Sequence, residues 1–161
     1  MDYREKINIY VPEYISEALE KDASMFEVLK KDGRTRNMNR FLSLLISGYY
    51  YEYVEECQIL KEKVAIELLN QGIERSKVDK VSGSIVKNVF LQTAPARKGK
   101  NSTKLSLKPT RDTQALIQSI KDGLTAEDSV SQYFCRMFMS YCKKPFYERE
   151  RVIFKIGRAH V

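Results

Sequence analysis

The sequence predicts a mainly α-helical fold with one two-stranded antiparallel ribbon, made from two strand-helix-helix units within a single chain. Three observations carry that reading. Lys6-Ile7-Asn8-Ile9-Tyr10-Val11-Pro12 alternates polar and apolar residues, ends at proline and runs into helical periodicity. Lys104-Leu105-Ser106-Leu107-Lys108-Pro109 repeats the alternation and the proline far along the chain. A single short strand ahead of two helices cannot satisfy its own hydrogen bonds, so each strand needs a partner and the other supplies it.

The first unit covers residues 1–56. Ile7, Ile9 and Val11 fall on one face of the strand, and Lys6, Asn8 and Tyr10 on the other, because successive strand side chains alternate. Pro12 stands where a helix tolerates it, at the first turn or just before. Ile15, Leu19, Ala23, Phe26 and Leu29 or Lys30 recur at spacings of three and four, which predicts a helix. Lys30-Lys31-Asp32-Gly33 reads as its C-terminus, with the cations and glycine that such ends favour. Asn37 is predicted to cap a second helix that buries Phe41, Leu42, Leu45, Ile46, Tyr49 and Tyr53.

Residues 57–102 read as a helical connector and basic linker. Ile59, Leu60, Val64, Ile66, Leu68 and Leu69 can prolong the second helix as far as Gly72, and Ser76 to Leu91 is a further amphipathic stretch. Gln92 to Thr103 contains Pro95, Gly99, Arg97, Lys98 and Lys100 but no acid, and reads as an exposed loop.

The second unit, residues 103–144, repeats the order. Leu105 and Leu107 face inward; Lys104, Ser106 and Lys108 face outward. Its first helix is expected to bury Ala115, Leu116, Ile120 and Leu124 and to break at Gly123. Its second opens at Ser129 and buries Tyr133, Phe134, Met137, Phe138 and Tyr141, with Arg136 on the opposite side or the flank. Matching the units pairs Ile7 with Leu105, Ile9 with Leu107, Asn37 with Ser129 and Leu42 with Phe134.

Residues 145–155 read as amphipathic and as the start of a region that continues beyond this chain. Residues 156–161, Ile156-Gly157-Arg158-Ala159-His160-Val161, read as the translation of a widely used sequencing adapter. The only histidine, His160, therefore carries no functional expectation.

Composition bounds the function. The 161 residues suffice for one domain or two small ones sharing a core. With 43% hydrophobic and 30% charged residues the chain is globular, and its net charge of +7 favours a polyanionic partner, nucleic acid first. Cys57, Cys135 and Cys142 are odd in number, sit in helical patterns and form no CxxC spacing. That argues against a disulfide framework and a zinc site, and fits small core side chains in a reducing cytosol. Neither a signal peptide nor an apolar run of spanning length is visible, so the expected location is cytoplasmic, without a membrane partner. The sequence holds no Gly-rich phosphate loop, nucleophile elbow or metal-ligand spacing. Neither enzymatic activity, a cofactor nor a metal is expected. Glu13, Glu17, Glu20, Glu55, Glu56 and Glu62 suit solvated helix faces instead.

Ser129-Val130-Ser131-Gln132-Tyr133-Phe134-Cys135-Arg136 resembles the second-helix opening of the ribbon-helix-helix family of DNA-binding proteins. There a small polar cap precedes an acidic or amide residue, an apolar pair and an arginine. The first unit departs from that pattern: Arg40 replaces the amide and Leu44 stands where Arg136 does. Over residues 1–155 the chain also resembles the amino-terminal part of bacterial WYL-domain transcriptional regulators. The segments that carry this likeness are Ile7-Asn8-Ile9-Tyr10-Val11, Phe26-Glu27-Val28-Leu29-Lys30-Lys31-Asp32-Gly33 and Tyr147-Glu148-Arg149-Glu150-Arg151-Val152-Ile153-Phe154.

The resemblance implies tandem ribbon-helix-helix units forming an intramolecular pseudo-dimer, with a WYL sensor domain expected downstream. It implies a transcriptional regulator that binds duplex DNA, and a homodimer formed through the downstream region. Some WYL proteins of this type accompany RNA-targeting CRISPR systems. An accessory protein for single-stranded nucleic acid is thus the second expectation, and an antitoxin-like protein-interaction module the third.

A two-stranded ribbon fits the major groove of DNA, where each base pair shows a distinct pattern of donors and acceptors. The residues expected to meet bases are Lys6, Asn8, Tyr10, Lys104, Ser106 and Lys108; lysine suits guanine acceptors and asparagine suits adenine. Because the two strands differ, the site read would be asymmetric. Phosphates are expected at the two second-helix openings, through Asn37 and Asn39 and through Ser129 and Ser131. Arg34, Arg36 and Arg40 strengthen the first opening, whereas Glu127 and Asp128 weaken the second. Tyr49-Tyr50-Tyr51 with Tyr53 would suit base stacking, but the helical spacing of Tyr49 and Tyr53 with Leu45 and Ile46 assigns those two to the core.

Overall fold

A computed structural model describes residues 6–91, 102–124 and 129–159. Two strands, β1 (Ile7–Pro12) and β2 (Ser102–Leu107), pair antiparallel into one ribbon. Around it lie α1 (Glu13–Met25), α2 (Met38–Asn70), α3 (Arg75–Leu91), α4 (Arg111–Gly123), α5 (Val130–Cys142) and α6 (Phe146–Ala159). The register sets Ile7 opposite Leu107, Asn8 opposite Ser106, Ile9 opposite Leu105 and Tyr10 opposite Lys104. Ile9, Val11, Leu105 and Leu107 are buried beneath the ribbon, as the alternation predicts.

β1 runs directly into α1 through Pro12, whose φ of −56° suits the residue before a first turn. Ile15, Leu19, Ala23 and Phe26 are buried as expected. The helix stops at Met25, however, and not at Lys30–Gly33. Glu27 adopts φ +55°, its N–H bonds to the Ser24 carbonyl at 3.2 Å, and the Val28 N–H bonds to the Ala23 carbonyl at 2.9 Å. Those paired bonds are a Schellman ending, made here by a glutamate where glycine is usual. Residues 28–37 then double back. Leu29 bridges Arg36, the Lys30 N–H meets the Thr35 carbonyl at 2.8 Å, and Gly33 supplies φ +72° at the tip. The Asp32 carboxylate accepts from the Arg34 and Thr35 N–H groups and from the Thr35 hydroxyl, which holds its pKa down to about 2.

α2 is continuous for 33 residues, so the boundary expected between Glu56 and Cys57 lies within one helix. Its first half buries Phe41, Leu42, Leu45, Ile46, Tyr49 and Tyr53, the whole predicted face. Its second half packs on α3, where Leu68, Val78 and Ser82 are buried. The basic segment 92–101 lies outside the described residues, as do Glu127 and Asp128; Ser102 and Thr103, expected in the loop, open β2.

α4 packs on α2, and α1 packs on α5. On α4 the buried positions are Thr113, Ile117 and Ile120; Ala115 is exposed and Leu116 and Leu124 half-buried, which corrects the predicted stripe. Thr110 caps this helix through a reciprocal pair with Thr113, and Thr113, Ile117 and Ile120 share its inner face at spacings of four and three, which leaves Ala115 outside. α5 is contacted by β1, α1, α2 and α3. It is consequently buried on all sides from Phe134 to Met139, and Arg136, expected on a flank, is inside with them.

α6 belongs to the same core. Val152 and Ile153 are buried, and the helix crosses α2 at Gly48, where a Cβ would overlap the Val152 carbonyl oxygen. Ion pairs fasten it: Arg149 to Asp22 at 2.8 Å, Arg151 to Glu52 at 2.8 Å with Lys155 3.7 Å from the same carboxylate, and Lys144, just before the helix, to Glu56 at 2.6 Å. Buried Asp22 also accepts from the Tyr141 hydroxyl at 2.7 Å. Residues 145–155, read from sequence as the start of another region, pack here against α2 and share its core. No described helix is long and apolar enough to cross a membrane.

Candidate nucleic-acid interface

The outer face of the ribbon carries all six residues expected to meet bases. Lys6, Asn8, Lys104 and Lys108 are exposed, and Tyr10 and Ser106 are half-buried. Tyr10 stands beside Lys104 and Asn8 beside Ser106, whose hydroxyl lies 3.3 Å from the Asn8 side-chain oxygen. Continued one step, the same register sets Lys6 beside Lys108. The face is three rungs long, with Lys6 and Lys108 at one end, Lys104 beside Tyr10 at the other, and the uncharged polar pair in the middle.

The two second-helix openings grip opposite ends of this ribbon. Asn37 caps α2, its side-chain oxygen accepting the Arg40 N–H at 3.0 Å. Two residues on, the Asn39 amide brackets Lys108: Oδ1 accepts the Lys108 N–H at 2.7 Å and Nδ2 donates to the Lys108 carbonyl at 3.1 Å. Ser129 caps α5, accepting the Gln132 N–H at 3.1 Å, while Gln132 reaches back to the Ser129 N–H at 3.3 Å. Two residues on, Ser131 Oγ accepts the Tyr10 N–H at 3.0 Å. The side chains of Asn39 and Ser131, read from sequence as phosphate ligands, are thus engaged with the strands.

Arg40 is exposed on the first turn of α2, and Arg34 and Arg36 are exposed on the turn that leads into it. Arg36 lies 3.8 Å from Glu20 across solvent, a weak pairing at such exposure. Beside Arg40, a cleft of about 460 Å³ separates the starts of α2 and α4, with Asn37, Ser43 and Thr110 on its walls.

The remaining candidates sort cleanly. Tyr49 and Tyr53 are core residues whose hydroxyl pKa values burial drives well above the ordinary tyrosine value. Tyr49 donates to Glu56 at 2.5 Å and lies 3.0 Å from the Ser140 hydroxyl. Tyr51 alone of the run is fully outward, at 69% exposure, with Tyr50 half-buried. The three cysteines are free thiols; burial raises Cys57 and pushes Cys135 to about 11 and Cys142 to about 12. Among the described residues no cluster of histidine, cysteine or acid could hold a metal ion.

Sequence reasoning passed over the strand-holding roles of Asn39 and Ser131, which follow from a polar residue two places after each cap. It also passed over Gly48, a small residue in the middle of an otherwise bulky helical face. No protein-family model, no curated protein and no solved structure matches this chain.

Proposed function

We propose that this chain binds duplex DNA sequence-specifically through its ribbon, as a transcriptional regulator, and that its two units form an intramolecular ribbon-helix-helix pseudo-dimer. The observation that carries the reading is the crossed anchoring of the ribbon. Asn39 and Ser131 occupy the same place after their caps, and Lys108 and Tyr10 the same place in their strands, yet each side chain holds the other unit's strand. The packing of α1 on α5 and of α4 on α2 follows the same exchange. The strand register centres on the Asn8–Ser106 rung, which is where a two-fold axis of such a pseudo-dimer would pass.

The chemistry of the outer face supports contact with bases. Lys6, Lys104 and Lys108 can donate to guanine O6 and N7, Asn8 can pair with adenine, and a two-stranded ribbon enters a groove about 12 Å wide. The three-rung face is asymmetric, because Tyr10 on one strand matches Lys108 on the other. Phosphate binding falls mainly to the α2 opening, where the N-terminal dipole and main-chain N–H groups are joined by Arg40, Arg34 and Arg36.

Binding to random-sequence duplex and single-stranded DNA over a salt series tests this. The expected result is a steep salt dependence on duplex that weakens when Lys6, Lys104 and Lys108 are replaced together by alanine. Binding indifferent to the triple change, or a preference for single strands, would overturn it.

A further inference from the structure

Where α2, α3 and α5 meet, a cavity of about 280 Å³ opens to solvent. Tyr53 and Val54 of α2, Val86 of α3 and Tyr133 of α5 supply apolar and aromatic walls, and Arg136 and Lys61 supply positive charge. No acidic side chain is among its described lining residues. Arg136 is buried to 5% exposure, with its guanidinium 5.8 Å from the centre of the Tyr133 ring.

Gly83 is the telling residue. It sits in the interior of α3, where glycine costs about 1 kcal/mol relative to alanine. Neither steric crowding nor a positive φ explains it: a Cβ there would meet nothing within 4 Å. What the missing side chain does is leave the cavity wall bare.

We propose that this cavity is a binding site for a small aromatic carboxylate. Its volume lies near the lower limit, about 300 Å³, of typical small-molecule sites, which suits a single ring rather than a nucleotide. Tyr53 and Tyr133 meet edge-to-face with ring centres 5.7 Å apart, so the ligand ring lies against that pair rather than between its members. Its carboxylate faces Arg136 and Lys61, where charge-assisted hydrogen bonds are strongest. The site does not depend on the DNA-binding reading; its consequence for the ribbon does. Tyr133 and Arg136 stand on α5 close behind Ser131, which holds the Tyr10 N–H, so under that reading occupancy alters affinity for duplex DNA.

The test titrates the full chain with salicylate and with its neutral analogue salicylamide, following the methyl resonances of Val54 and Val86. Saturable binding of salicylate at or below about 1 mM is expected, weaker by about tenfold for the amide. Gly83→Leu fills the cavity from α3 and removes binding, while its melting temperature holds or rises because leucine is the better helix former. Val54→Phe, at a position 43% exposed, narrows the cavity independently from α2 and weakens binding too. Absence of saturable shifts up to about 5 mM overturns the proposal, as does equal binding of the amide or undiminished binding by both variants. Salicylate binding that persists in the Lys6, Lys104 and Lys108 triple variant, whatever becomes of DNA binding, separates this site from the ribbon. Salicylate that binds yet leaves duplex affinity unchanged overturns the coupling alone.

Discussion

The openings of α2 and α5 use one backbone device and finish it differently. Each begins with a polar cap and, two residues later, holds the strand that the other unit contributes. At α5 the third helical residue, Gln132, folds back onto the cap and closes the end upon itself. At α2 that residue is Arg40, which stays exposed between the cap and the cleft leading to α4. Asn39 also holds its strand by two bonds where Ser131 uses one. The two helix starts thus share one strand-anchoring device, while the α2 start keeps a cationic side chain facing outward.

The largest test asks whether the two units share one core. Leu42 and Phe134 are matched positions and both fully buried. Leu42→Ala should cost about 2–5 kcal/mol and Phe134→Ala about 3–5 kcal/mol, read from urea unfolding. Each variant should unfold in a single transition; two separable transitions would mean that the units are independent. Next come the strand anchors. Asn39→Ala should cost about 1–3 kcal/mol and Ser131→Ala about 0.5–1.5 kcal/mol, and equal losses would erase the distinction between two bonds and one.

The third helical residues divide stability from binding. Arg40→Gln should lower the salt slope of duplex binding by about 1 while stability stays within about 0.5 kcal/mol. Gln132→Ala should do the reverse, weakening the fold by about 0.5–1 kcal/mol with DNA binding intact. An Arg40 variant that binds DNA normally would remove the functional half of the contrast.

A further test concerns alkaline pH. Cys135 and Cys142 on α5 are raised from 9.0 to about 11 and about 12, chiefly by desolvation, and Cys57 on α2 is raised as well. An acid whose folded pKa lies above its unfolded value favours the native state while protonated. Stability should therefore be level below pH 9.0 and fall as pH climbs toward about 12, where the folded thiols ionise. Serine at Cys142 should flatten part of that fall in a series of urea melts.

The ribbon and the buried face of α2 were legible because both rest on simple periodicity: alternation in Lys6–Val11 and Lys104–Lys108, and three-four spacing from Phe41 to Tyr53. The end of α1 was not, since Lys30-Lys31-Asp32-Gly33 carries every usual stop signal while the stop itself falls at Glu27, a residue that seldom takes positive φ. The burial of Arg136 depends on how many neighbours surround α5, which no local pattern encodes. The same holds for Gly48, whose meaning appears only when α6 lies across it. Of the candidate site, the six outer-face residues were readable from the strands alone. The inward turn of Asn39 and Ser131 required knowing which strand each helix faces.

The pairing of β1 with β2 has a further consequence. A ribbon built from two separate chains falls apart on dilution, because its partner strand must be found in solution. Here both strands belong to one polypeptide, so the second is always present at the effective concentration its tether sets. Pairing of the two strands therefore carries no dilution cost of its own.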